Sequence, residues 1–154
     1  MQNYLSLVAA LSKRTAFGQQ TKTSQYHLLY DQLYGDHSML TASDIKSYCP
    51  EHTVLVLISI LKAKRKSPKR NVKLYAVAHI YHEICREYNL EIIHRQVLTP
   101  LKILDLAGLI KIRTNREGNT SIVVIGYGEN TSEVMENILY SDPDYAKYKD
   151  FVPS

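Results

Sequence analysis

Apolar residues recur along this chain mostly at helical spacing. Near its start, Tyr4, Leu7, Val8 and Leu11 fall at i, i+3, i+4 and i+7, a stripe down one side of a helix. Thr21 to Gln25 is polar and reads as a connection. "SQYHLLYDQLY" then places Tyr26, Leu29, Tyr30 and Leu33 on one face, up to Gly35. In "LTASDIKSY", Thr41 is an N-cap with Asp44 three residues on, an acid where the helix dipole favours one. Cys49-Pro50 marks the next boundary, because Pro suits the first turn of a helix. The unbroken run "VLVLISIL" fits a buried strand or a helix buried on most sides, and its continuation into "KAK" without a turn favours the helix.

Further on, "VKLY" reads as a very short strand. "AVAHIYHEICREY" has Val77, Ile80, Tyr81, Ile84 and Tyr88 at helical spacing. "HRQVLTPLKILDLAGL" predicts another helix, ending at Gly108. "LIKIRT" and "SIVVIGY" are β-rich runs joined by "NREGN", whose Gly118 suits the left-handed position of a tight hairpin. In the last helix, "TSEVMENILY", Val134 and Ile138 face inward, with Met135 and Leu139 more loosely so. The order from residue 50 onward is that of a winged helix: a mainly α fold with a small β-hairpin, preceded by a helical segment. We expect a helical segment over 1–48, a winged-helix domain over 49–140 and a C-terminal tail over 141–154. In such a fold the third helix usually enters the major groove and the hairpin lies over phosphates or the minor groove.

The chain has 154 residues, 45% of them hydrophobic and 22% charged, which suits one packed domain with an appendage. Two Cys without a CxxC spacing favour a reducing compartment. No basic region precedes the first apolar run, so a signal peptide fits poorly, and no stretch approaches a membrane span. A soluble protein with no membrane partner is expected. The twelve Tyr, against two Phe and no Trp, are read as core edges and interface material.

Charge changes the picture more. The stretch "KAKRKSPKRNVK", residues 62 to 73, holds seven of the nineteen Lys and Arg and no acid. It reads as a surface loop between the first helix of the domain and the first strand. Three roles stay open for it: a solvated loop, a nuclear-localisation run, or a phosphate-facing patch through Lys64, Arg65, Lys66, Lys69 and Arg70. Ser67-Pro68-Lys69-Arg70 fits the pattern of proline-directed kinases, and a phosphate on Ser67 would cancel up to about two of those charges.

Residues 53 to 110, through "TVLVLISIL", "VAHIYHEICREYNLE" and "HRQVLTPLKILDLAGLIKI", resemble the C-terminal winged-helix domain of the origin recognition complex and the related cell-division-control initiators, archaeal ones included. "HLLYDQLYGDHSMLTASDIKSY" is fainter in its likeness to the end of the helical lid that precedes this domain in the family. The overall layout and "VMENILYSDPDY" are most similar to the fourth subunit of the eukaryotic complex. The resemblance implies a replication initiator component that contacts double-stranded DNA beside other initiator subunits, in the nucleus, or in the cytoplasm or nucleoid if archaeal. It places His94, Arg95 and Lys102 on the recognition helix and Lys111, Arg113 and Arg116 on the wing. Arg95 and Arg116 are the leading candidates, since guanidinium forks suit phosphate and guanine.

Two departures weaken direct base readout. Pro100 falls inside the expected recognition helix, at a cost of about 3 kcal/mol in an interior. Alternatively Thr99 is the N-cap and Pro100 the first helical residue, leaving about two turns. The family also has a polar cap where this chain has Ile93, and a basic residue where it has Gln96.

None of the six Gly is followed by Lys, so the family's GxxxxGK[ST] phosphate loop is missing and no nucleotide or other cofactor is expected in this chain. His79, His82 and Cys85 are spaced i, i+3, i+6, but their faces drift apart, and no metal site is expected. No catalytic constellation stands out, and the chain reads as no enzyme. Besides the initiator, two readings remain: a winged helix that docks neighbouring subunits without reading DNA, and a small transcription regulator that dimerises through residues 1 to 48.

Overall fold

The computed structural model describes residues 40–124 and 131–154. The expected helices over residues 4–11 and 26–33, and the end of "SIVVIGY", lie outside the described residues. The first described helix, α1 (Ala42–Tyr48), starts as the sequence predicts. Thr41 Oγ1 accepts from the Asp44 amide at 3.1 Å, and Asp44 Oδ2 accepts from the Thr41 amide at 2.9 Å. Two orphan donors are thereby satisfied reciprocally, a capping box.

Helix α2 (Glu51–Lys66) settles the ambiguity of "VLVLISIL". Every residue from Thr53 to Ala63 is buried, so the helix is surrounded, touching α1, both strands of one sheet edge and the three longer helices that follow. A helix covered on all sides needs no polar face, which is why its sequence lacks periodicity. Strand β1 (Val72–Lys73) leads directly into α3 (Leu74–Glu87), whose buried stripe is Val77, Ile80, Tyr81, Ile84 and Cys85. Asn89 ends α3 in the left-handed region, φ 55°, with Leu90 N–H donating to Cys85 O at 2.7 Å.

Residues 88–97 separate α3 from α4 (Leu98–Leu106), closed by Gly108 at φ 81°. There the Gly108 and Leu109 amides reach back to Asp105 O and Leu104 O, each at 3.0 Å, a Schellman ending. Strands β2 (Ile110–Thr114) and β3 (Thr120–Val124) form the wing, and the sheet order is β1-β3-β2, antiparallel throughout. Asn115 Oδ1 accepts from both the Glu117 and Asn119 amides at 2.9 Å, and Gly118 takes φ 83°, so the wing loop is built around one Asn side chain.

Helix α5 (Thr131–Tyr140) buries Met135, Ile138 and Leu139, with Val134 at the margin, so its inward face is rotated from the expected one. Residues 141–154 are more than a tail. They form a helical turn, α6 (Pro143–Ala146), and bury Tyr145 and Tyr148, the latter edge-on to Tyr88 at 4.7 Å. Lys46 of α1 reaches Asp142 at 3.0 Å and Asp144 at 2.5 Å, fastening this segment from the outside. Within the described residues no helix is long and apolar enough to cross a membrane.

Candidate nucleic-acid interface

The basic run is not one loop. Lys62 to Lys66 are the last turns of α2, and only residues 67–71 connect it to β1. Lys62 points inward: its Nζ donates to Phe151 O at 2.7 Å and to Lys149 O at 3.4 Å, and lies near the faces of Tyr140 and Phe151. Burial, the largest influence, holds its pKa below the usual lysine value.

Three of the five residues expected to face phosphates in this run also have partners within the chain. Arg65 Nη2 pairs with Glu136 Oε2 at 2.8 Å, Lys66 Nζ donates to Ser154 O at 2.7 Å, and Lys64 Nζ donates to Arg70 O at 3.1 Å. Lys69 and Arg70 are exposed, and their side chains make no ion pair or hydrogen bond among the described residues. Ser67 is the exposed C-cap of α2.

The expected recognition helix also begins later than its sequence suggests. His94 and Arg95 precede α4 rather than belonging to it. Pro100 sits in the third position of α4, so neither expectation for it holds: it is neither interior nor first. In the first turn its missing N–H is one that the helix leaves unpaired anyway, and the kink cost does not arise. His94 is held by the core. Its amide donates to Tyr81 Oη at 3.4 Å, its carbonyl lies 3.2 Å from His82 Nε2, and its ring packs near those of Tyr81 and His52. Tyr81 Oη also lies 2.7 Å from His52 Nδ1. Burial lowers the pKa of both His52 and His94, which favours neutral rings. Arg95 is exposed in the connection before α4.

The solvent-facing side of α4 offers Leu98, Thr99 and Lys102, a single cation. Asp105 follows one turn on, its carboxyl pushed up by burial and drawn down by the charge of Lys111. This helix is therefore poorly provided for base edges, where forked donors and amides do the reading.

The sheet gathers what α4 lacks. Lys73 of β1 is paired with Ser121 of β3, which is paired on its other side with Arg113 of β2. Residues directly opposite share a face, so Lys73 and Arg113 project from the same side, about 10 Å apart across two strand spacings. Lys111, two residues before Arg113, joins them, while the adjacent row of Val72, Ile122 and Ile112 turns to the core. Arg116 is exposed at the wing loop, and Lys69 and Arg70 lie just before β1. The loop and wing cations are thus linked through one sheet face. Lys73 is the member that the sequence pattern left unassigned, although the alternation of buried Val72 and exposed Lys73 signals it.

On the helical side, a groove of about 1010 Å³ opens between α2, the connection into α4, and α6; it is lined among others by His52, His94, Ile93 and Tyr145. Ile93, which lines it, is 49% exposed, and Ile92 and Leu98, in the same stretch of chain, are exposed at 37 and 46%. His79, His82 and Cys85 diverge: His79 pairs with Glu83, His82 faces His94 O, and Cys85 is buried. Among the described residues no three potential metal ligands converge.

Comparison with known proteins is informative on the fold. The crystal structure of Cdc6p from Pyrobaculum aerophilum superimposes with a TM-score of 0.56 at 18% identity, over 88% of this chain. The chain spans 35% of the length of that protein. No curated protein sequence gives a significant match. The family model described as the CDC6 C-terminal winged helix domain matches residues 44–135, from within α1 to the middle of α5. Neither match distinguishes among the subunits of the eukaryotic complex. With more than half of its length matched by that model, the chain belongs to the Cdc6-type winged-helix family.

Proposed function

We propose that this chain is a component of a DNA-replication initiator, and that its winged helix holds origin duplex DNA through phosphates, beside other initiator subunits. The observation that supports this reading is the outward sheet face, where Lys73, Lys111 and Arg113 share one side with Arg116, Lys69 and Arg70 at its ends. Cations so arranged suit sequence-tolerant backbone contact, and α4, with Lys102 alone, suits little base readout. Phosphorylation of Ser67 would oppose binding by placing a dianion among Lys64, Lys69 and Arg70. A nuclear location fits this role. The reading needs neither catalysis nor a nucleotide in this chain.

Fluorescence anisotropy of a labelled mixed-sequence duplex at several salt concentrations tests it. Two variants serve: Lys111, Arg113 and Arg116 changed to Ala, and Lys69, Arg70 and Lys73 changed to Ala. For every phosphate that a variant no longer neutralises, the salt slope should flatten by about 0.9 log units per log unit of salt. Arg65 is left in place because it pairs with Glu136. Absence of binding at low salt, or unchanged slopes in both variants, overturns the proposal.

A second reading, docking of a neighbouring subunit, is favoured by the exposed Ile92, Ile93 and Leu98 on the side where a DNA-reading winged helix carries polar groups. For dimerisation as a transcription regulator, the described residues supply no comparable observation.

A further inference from the structure

Tyr75 is an outlier among the tyrosines of the described residues. Tyr48, Tyr81, Tyr145 and Tyr148 are buried, and Tyr88 and Tyr140 are half-buried. Tyr75 is 77% exposed, in the first turn of α3, and makes no hydrogen bond or ring contact among the described residues. A ring left in water forgoes the stabilisation that burial gives an aromatic side chain. Its surroundings in the chain are cationic. Lys73 stands two residues before it, Lys69 and Arg70 lie in the preceding loop, and none of these three side chains is neutralised by an ion pair among the described residues. No Asp or Glu occurs anywhere from residue 52 to residue 82.

An exposed aromatic face bordered by unpaired cations is the arrangement that holds single-stranded nucleic acid: the cations track the phosphates while a base stacks on the ring. A duplex keeps its bases stacked inside and would leave Tyr75 unused. We infer that Tyr75, with Lys69, Arg70 and Lys73, is a stacking site for an unpaired base of single-stranded DNA at the edge of the duplex-facing sheet. The inference rests on the nucleic-acid reading of that sheet, and adds a specificity that the sheet alone does not have. It gives the module a preference for DNA with a locally opened strand.

The chain contains no Trp, so Tyr75→Trp places a sole indole at the site. Titrating this variant with a short oligothymidylate should quench the indole emission saturably. Val152→Trp, at a position 81% exposed on the C-terminal segment, should not respond. Tyr75→Ala should bind the oligonucleotide roughly 5- to 100-fold more weakly, the loss expected when one base is left unstacked, while Tyr75→Phe retains binding. Affinity of Tyr75→Ala for duplex should stay within about twofold of the parent, since phosphate contacts are untouched.

Quenching no greater than that of Val152→Trp, or equal oligonucleotide affinity for Tyr75→Ala and the parent chain, overturns the inference. Equal quenching by polyglutamate also overturns it, because the site would then answer to negative charge rather than to bases. If duplex binds with its expected salt slopes while these tests fail, the stacking site falls alone. If neither duplex nor oligothymidylate binds, the phosphate-contact reading falls with it.

Discussion

Arg65 Nη2 lies 2.8 Å from Glu136 Oε2, joining the end of α2 to the middle of α5. The two ends of the pair differ sharply, with 68% of the Arg65 side chain exposed against 9% of Glu136. A carboxylate this buried, its pKa raised mainly by desolvation, depends on a cation nearby. The arginine at the centre of the basic run thus also serves the fold.

Arg65→Ala should therefore destabilise the domain by roughly 1–3 kcal/mol, since Glu136 stays buried with Lys62 as its remaining cation among the described residues. Adding Glu136→Gln should recover part of the loss, because the orphaned charge is then removed. Urea denaturation of both variants checks this. Equal midpoints for the parent and Arg65→Ala would show that the pair contributes nothing.

Lys62 makes a comparable contribution at the C-terminal segment. Lys62→Ala leaves the carbonyls of Phe151 and Lys149 without their donor, and should cost about 1–3 kcal/mol. It should also speed proteolytic cleavage within residues 147–154, where Lys147 and Lys149 are ready trypsin sites. A fragment pattern and rate identical to the parent's would contradict the contribution assigned to Lys62.

The His52–Tyr81–His94 cluster makes stability depend on pH. Burial depresses both imidazoles; Glu51 and Glu91 work against this at His52, while the neighbouring His52 adds to it at His94. Tyr81, pushed up to about 12, stays protonated, with its Oη 2.7 Å from His52 Nδ1. A base whose folded-state pKa is depressed takes up its proton first in the unfolded chain. Its stabilisation is then complete above the unfolded value of 6.5 and is lost as pH falls below it. Glu136, raised in the folded state, acts in the opposite sense nearer the carboxylate range. Denaturation midpoints of the parent and of a His52→Gln, His94→Gln double variant, compared between about pH 7 and pH 5, separate the two effects. The parent should lose more stability over that interval, and parallel curves would refute the account.

Asn89 closes α3 at φ 55°, where a Cβ is tolerated poorly. Asn89→Gly should be neutral or slightly stabilising, whereas Asn89→Val should cost on the order of 1–2 kcal/mol. At Gly118, φ 83°, an added Cβ meets nothing within 4 Å, so the cost of Gly118→Ala is that of the backbone alone, about 1 kcal/mol. Thermal midpoints of the three variants would show whether conformation, rather than packing, governs both positions.

Local signals were legible wherever their cause was local. The Thr41 N-cap with its first-turn acid Asp44, the buried stripe of α3, the turn positions Gly108 and Gly118, and the order of elements all follow from residues a few positions apart, because caps, turns and helical periodicity are short-range physics. The family resemblance is legible too, being carried by the residues of three continuous stretches, "TVLVLISIL", "VAHIYHEICREYNLE" and "HRQVLTPLKILDLAGLIKI". What the basic residues do was decided only in three dimensions. Lys62, Lys64, Arg65 and Lys66 look alike in the chain, yet one is drawn inward by carbonyls 87 and 89 residues away and another is paired with Glu136. Conversely, Lys73 and Arg113 are 40 positions apart and meet across Ser121 only through strand register. Composition fixes how much charge a chain carries, whereas burial and pairing across the fold decide which of those charges remain available to a partner.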